Sequence, residues 1–250
     1  MKRLLATLLL GSTLAGPAFA FDISAMNEQE KEAFGQAVRD YLMANPEVLV
    51  ESIGVLEARR QEQSVDNDRL LVAANQDAIF NDGHSWVGGN PYGDVTVVEF
   101  LDYRCGYCRR VNDQVQALVE DDPNVRLILK EYPILGQDSD SSARFAVAVK
   151  QIAGDEAYLK AHHALMALRG EASLEALGKI ADEIGVDREE VINLMNTESV
   201  NAVLRANRQL GETMAIMGTP TFIIGDEMLR GVPQNGLEDY IQAARDKQDG

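Results

Sequence analysis

The chain has 250 residues, 46% of them hydrophobic, and a formal charge of −17 at neutral pH. That acidity argues against nucleic acid or anionic lipid as a partner, because both are themselves negative and no basic stripe offsets the repulsion. Only two cysteines are present, so one bridge at most can form and a disulfide-dense scaffold is excluded.

The first 20 residues, MKRLLATLLLGSTLAGPAFA, combine Lys2 and Arg3, an apolar run from Leu4 to Leu14, and a small-x-small site at Ala18-Phe19-Ala20. This is the layout of a secretory signal peptide, and the apolar run is too short for a spanning helix. Its removal takes the formal charge from −17 to −19. Export implies an oxidising compartment in which disulfides persist.

Residues 21–80 are expected to form a separate helical segment. Asn27 with Glu30 predicts a capping box, and Ala33, Phe34, Ala37, Val38, Tyr41 and Leu42 recur at helix spacing. Asn45-Pro46-Glu47 predicts a restart, with Asn45 as N-cap and proline in the first turn. Val48, Leu49, Ser52, Ile53 and Leu56 make a second stripe, followed by the polar stretch Glu57 to Arg69. Two exposed stripes need cover. Folding back on the rest of the chain and packing against copies in a homo-oligomer are both open, and the polar stretch favours the second.

From about residue 81 the pattern changes. DVTVVEFLDY predicts a buried strand, Val111, Val115, Leu118 and Val119 a helix, and VRLILKEYPIL a second strand. Several helices are expected over about 139–217, with Ser173 as an N-cap and Asp187 with Glu190 as a capping box. TPTFIIGDEMLRGV predicts two short strands around Gly225-Asp226, and GLEDYIQAARD a closing helix. The fold class is α/β, in the order βαβ, helices, ββα.

Both cysteines sit in EFLDYRCGYCRR, at the junction of the first strand and helix. A disulfide closing so small a loop constrains the unfolded chain little, which argues against a staple. Structural zinc wants four ligands, and His84, His162 and His163 show no ligand spacing to the pair, so no metal is assigned. Of the adjacent His162 and His163, one is expected at the surface and one partly buried. Cu(I) bound by two thiolates stays open.

Redox chemistry uses the arrangement differently. Only a thiolate attacks a disulfide, and the free N–H groups of a helix start favour negative charge. Cys105 is therefore expected as the exposed attacking sulfur, with Cys108 resolving the mixed disulfide from one turn in. Glu99 interrupts an apolar strand six positions before Cys105 and is expected to relay the proton of Cys108. Lys130 interrupts the next strand and is expected to pair with Glu99. Thr219-Pro220 before an apolar strand suggests a cis bond at a tight entry, with Met214 and Met217 as candidate groove residues.

VVEFLDYRCGYC, LKEYPIL and GTPTF, in that order with helices between the last two, resemble the periplasmic thiol–disulfide oxidoreductases of the DsbA kind, over about residues 81–250. The resemblance implies a thioredoxin-like fold with a helical insertion at about 139–217. It implies Cys105 as nucleophile, Cys108 as resolving cysteine, Glu99 as assisting acid, a cis Pro220 facing the disulfide after Thr219, and a peptide groove alongside. Gly106-Tyr107 between the cysteines departs from the Pro-His of strongly oxidising members. With Thr219, it is similar to periplasmic disulfide isomerases and ScsC-type proteins, which are oligomers built on N-terminal segments. The implied partners are reduced or misoxidised secreted proteins and a membrane redox partner, with no cofactor beyond the thiols. Oxidase and isomerase both stay open, as do two other classes: a Cu(I)-binding dithiol protein and an oligomeric holdase.

Overall fold

A computed structural model describes residues 26–249. The expected signal peptide lies outside the described residues. The chain divides into two units, one ending at Arg59 and one beginning at Arg60.

In the first unit, helix α1 spans Glu28–Ala44. Its capping box is formed as expected: the Asn27 side chain accepts from the Glu30 N–H at 3.0 Å, and the Glu30 carboxylate accepts from the Asn27 N–H at 2.9 Å. Asn45 plays a different part from the N-cap role expected of it. Its side-chain amide donates to the Tyr41 carbonyl at 2.8 Å and so closes α1. Helix α2 then spans Glu47–Ala74; the polar stretch within it opens on good helix formers, Glu57 to Gln63, and has no glycine or proline to break it. No residue of α1 is buried.

The second unit takes in the end of α2, including Asp68 and Val72, which are buried. Residues up to about 80 were expected to belong with the N-terminal segment; instead Val72 and Ile79 supply core to this unit. Helix α3 (Gln76–Phe80) leads to strands β1 (Trp86–Gly89) and β2 (Val95–Leu101), helix α4 (Gly106–Asp121) and strand β3 (Val125–Glu131). Four helical elements follow: α5 (Gln137–Ala167), which is kinked at the non-helical Gly154, α6 (Leu174–Ile184), α7 (Arg188–Leu194) and α8 (Glu198–Thr213). Strands β4 (Thr221–Ile224) and β5 (Glu227–Arg230) and helix α9 (Glu238–Asp249) complete the unit.

The sheet order is β1-β3-β2-β4-β5, with β2 and β3 parallel and the other pairs antiparallel. This is the thioredoxin-like α/β fold expected, with α5 to α8 inserted between β3 and β4. Strand β1 was not anticipated. Its two glycines hide the β pattern, and Gly88 is required because a Cβ there would lie 2.0 Å from the Trp86 ring. Trp86 anchors this edge by donating to the Asp155 carbonyl at 3.0 Å and stacking on Tyr158.

Alternation along the central strands sorts their side chains onto two faces. Val95, Val97, Leu101, Val125, Leu127 and Leu129 join the core that includes α4, α5 and α9. Val98, Phe100, Ile128 and Tyr132 join the other core, with Val72, Ile79, Leu210 and Met214.

Candidate active site

Cys105 is the N-cap residue of α4, and Cys108 lies one turn inside it. The turn that delivers them is built on Asp102, whose carboxylate accepts from the Arg104 N–H at 2.8 Å and from the N–H groups of Ile134 and Leu135 at 2.8 and 3.1 Å. One buried side chain thus ties the end of β2 to the loop after β3. The Arg109 side chain adds a bond to the Tyr103 carbonyl at 2.6 Å.

Both cysteines are free thiols. Cys108 is fully buried, and Cys105 retains only 7% exposure. The sequence led us to expect a more open Cys105. It is enclosed because the Thr219-Pro220 segment, which has a cis peptide bond, lies against it: the Cys105 thiol donates to the Thr219 carbonyl at 3.0 Å. Beside this contact is an open groove of about 420 Å³ lined by Tyr107, Met217, Thr219, Pro220, Arg230 and Val232 among others. Tyr107 is exposed, and the Arg110 guanidinium stacks over its ring at 5.1 Å. Gly106 opens α4, and a Cβ there would meet nothing within 4 Å. Met217 lines the groove, whereas Met214 is wholly in the core.

Glu99 is buried in β2, between Phe222 of β4 and Leu129 of β3. Those apolar neighbours offer no hydrogen bond, and its Oε1 has no partner. Burial first, and then the charge of Glu131, push its carboxyl up to about 8. Burial, followed by the charge of Glu99, also pushes the Cys108 thiol well above the ordinary cysteine value. Both groups therefore favour their protonated forms, and the charge of Glu99 is felt at Cys108.

The expected pairing of Lys130 with Glu99 is not made. In the parallel register Glu99 faces Leu129, so Lys130, one residue on, points to the opposite face. There its ammonium is fully buried, pairs with Asp82 and donates to the Ala78 carbonyl at 2.9 Å. Burial alone would raise the Asp82 carboxyl, but Lys130 and the Ser85 hydrogen bonds outweigh it and hold it at about 2.

Sequence reasoning missed the acid that does share a face with Glu99. Glu131, opposite Leu101, is buried, and its Oε1 accepts from the Tyr103 and Tyr158 hydroxyls at 2.7 and 2.6 Å. His162, the buried member of the histidine pair, has Nδ1 3.2 Å from the Tyr103 hydroxyl and Nε2 2.8 Å from the Asn112 amide oxygen on α4. Burial and the neighbouring His163 bring it down to about 3, so the imidazole is neutral. The available signal was parity: residues 129 and 131 of one strand share a face.

Residues 96–242 match the family described as DSBA-like thioredoxin domain, and residues 30–63 match the copper resistance protein ScsC N-terminal domain. A thioredoxin-like oxidoreductase from Silicibacter pomeroyi DSS-3 is 44% identical with a TM-score of 0.64, covering 69% of this chain and 98% of its own. Proteus mirabilis ScsC in a transitional conformation is 26% identical with a TM-score of 0.64, covering 90% and 100%. Thiol:disulfide interchange protein DsbA of Bordetella parapertussis is 25% identical over 155 residues, 61% of this chain and 73% of its own length. The chain spans 22% of the length of a Salinispora arenicola Na(+)/H(+) antiporter NhaA 1, which is 26% identical over 146 residues, 58% of this chain.

Proposed function

We propose, from the premise that this chain belongs to the DSBA-like thioredoxin domain family, that it exchanges disulfides with secreted polypeptides through Cys105 and Cys108. The observation that carries the reading is the thiol of Cys105, at the N-terminus of α4 and 3.0 Å from the carbonyl that precedes cis Pro220.

In the reductive direction the Cys105 thiolate attacks a substrate disulfide. One Cys–Cys bond of the substrate breaks, its first sulfur leaves with the bonding pair, and a mixed disulfide forms on Cys105. Cys108 then gives its proton to the Glu99 carboxylate, and its sulfur attacks that of Cys105. The second substrate thiolate leaves, so two electrons have passed from the dithiol to the substrate. Oxidation of a reduced substrate runs the same steps in reverse. The groove beside Thr219 and Pro220 holds the substrate backbone, with Tyr107 and Met217 on its apolar rim.

The test is trapping. With a reduced, unfolded reporter protein or its scrambled form, Cys108→Ser should accumulate a mixed disulfide on Cys105, and Cys105→Ser should accumulate none. Turnover surviving in Cys105→Ser sinks the reading. The N-terminal residue pattern supports a periplasmic location for the exchange. No helix among the described residues is long and apolar enough to cross a membrane. Direction is set by a membrane redox partner: thiol trapping in intact cells should find the pair reduced in an isomerase and oxidised in an oxidase.

We also propose that the N-terminal helices make a homo-oligomer. Phe34, Val38 and Tyr41 on α1, and Leu49, Ile53 and Leu56 on α2, form exposed stripes at helix spacing. The matching segment 30–63 contains no cysteine or histidine, so it brings no soft ligand set for copper with it.

A further inference from the structure

We infer that Glu131 is a positioning residue for the exchange reaction: through its own carboxyl it governs the proton held by Glu99, and thereby the step at Cys108. This deepens the functional reading above and rests on it.

The geometry supplies the argument. Glu99 and Glu131 share one face of the parallel pair β2 and β3, two residues apart in the register. Both are buried, and among the described residues neither has a lysine or arginine partner, because Lys130 is committed to Asp82 on the other face. Each carboxyl also has one buried oxygen with no hydrogen-bond partner, Oε1 of Glu99 and Oε2 of Glu131. Two acids in one apolar layer cannot both be ionised cheaply, so the charge of one sets the proton affinity of the other.

Their surroundings differ. Glu99 has the apolar strand neighbours Leu129 and Phe222, and its charge is felt at Cys108. The charged form of Glu131 is favoured by the hydroxyls of Tyr103, in the turn before Cys105, and Tyr158, on α5. The groups around its carboxyl are Asp102 and Tyr103 from the turn after β2 and Tyr158 from α5, with neutral His162 of α5 reaching it through Tyr103 and Glu99 of β2 feeling its charge. From α8, Asn207 holds the Glu131 carbonyl rather than its carboxyl, at 3.1 Å. Burial pushes Glu131 up to about 8, partly opposed by the two tyrosines, so it titrates in the same range as Glu99.

The proton count fixes the direction. Resolution by Cys108 needs Glu99 ionised to take the thiol proton. An ionised Glu131 disfavours that state, and a neutral Glu131 permits it. Removing the Glu131 charge should therefore let Glu99 ionise at lower pH. Removing the Tyr158 hydroxyl keeps Glu131 neutral for longer, so it should act in the same direction and less strongly.

The experiment mixes the reduced full-length protein with oxidised glutathione. The decay of the Cys105–glutathione mixed disulfide is followed by acid quench and mass spectrometry across the neutral to alkaline range. In Glu131→Gln the midpoint of the pH-dependent limb should move down by about one unit. In Tyr158→Phe, which retains both carboxyls if the first variant fails to fold, it should move down by less. In Glu99→Gln the limb should be lost, and adding Glu131→Gln should change nothing more. An unmoved midpoint in the folded single variants, or a shift that persists in the Glu99→Gln background, overturns the inference while leaving Cys105 and Cys108 in place. A limb that survives in Glu99→Gln overturns both it and the proton relay. Loss of the mixed disulfide altogether would instead implicate the nucleophile.

Discussion

The two faces of the central sheet each bury ionisable side chains, and they treat them in opposite ways. On the face carrying Phe100 and Ile128, Lys130 meets a carboxylate, a carbonyl and a serine hydroxyl, and its charge is satisfied. On the face carrying Leu127 and Leu129, Glu99 and Glu131 are buried with no cationic partner among the described residues and one unpartnered oxygen each. A buried charge that is paired fixes geometry, whereas a buried acid left without a partner keeps a proton that it can trade at neutral pH. The active-site cysteines pack on the second face.

The largest expected effect breaks the paired side. Lys130→Met should strand Asp82 in a buried setting and cost about 3–5 kcal/mol, read as a lower urea midpoint with an unchanged slope. Exchange per folded molecule should keep its pH profile, since the ammonium is on the far face. A displaced profile would mean that the faces communicate.

The next effect sharpens the unpaired side. Glu99 is raised in the folded state to about 8, against 4.5 for the unperturbed group. Its neutral form therefore contributes stability that is complete below the unfolded value and is lost as pH rises through about 8. The native protein should weaken by about 2–4 kcal/mol between mildly acidic and alkaline pH on this account. Glu99→Gln should flatten that slope, and denaturant unfolding at several pH values measures it.

The paired side predicts the opposite sign. Asp82 is lowered to about 2 from 3.8, so its contribution is present above the unfolded value and lost as pH falls toward 2. With partial solvent screening this is about 1–2 kcal/mol, and Asp82→Asn should remove that acid limb while leaving the alkaline one.

The smallest effect on stability, and the most visible in mass, concerns the N-terminal helices. Val38→Glu with Ile53→Glu should lower the mass measured by light scattering and leave exchange by Cys105 unchanged. A monomer before and after substitution removes the oligomer proposal.

Much of this was legible in the residues alone. Strands β2 and β3 are dense in β-branched and aliphatic residues, and the capping residues Asn27 and Ser173 sit where short polar side chains satisfy free N–H groups. The Cys-x-x-Cys junction, Glu99 and Thr219-Pro220 also stood out, because each breaks the local pattern. Strand β1 did not, since Gly88 and Gly89 dilute a four-residue signal that long-range pairing with β3 completes. Lys130 was misjudged and Glu131 missed for a related reason. Two adjacent charged residues in a strand point to opposite faces, and which of them meets Glu99 depends on a register that pairs residues 30 apart in the chain.

By itself the sequence determined what is local: where helices start, where the buried strands lie, and that two thiols stand one turn apart at a helix entrance. These follow from spacing, capping and the conformational limits of each residue. Only the tertiary structure decided which buried acid faces which, that Lys130 serves Asp82 rather than Glu99, and that the Thr219 carbonyl covers the Cys105 sulfur. Those contacts join segments up to 114 residues apart, and parity across a sheet is set by pairing that no single strand contains.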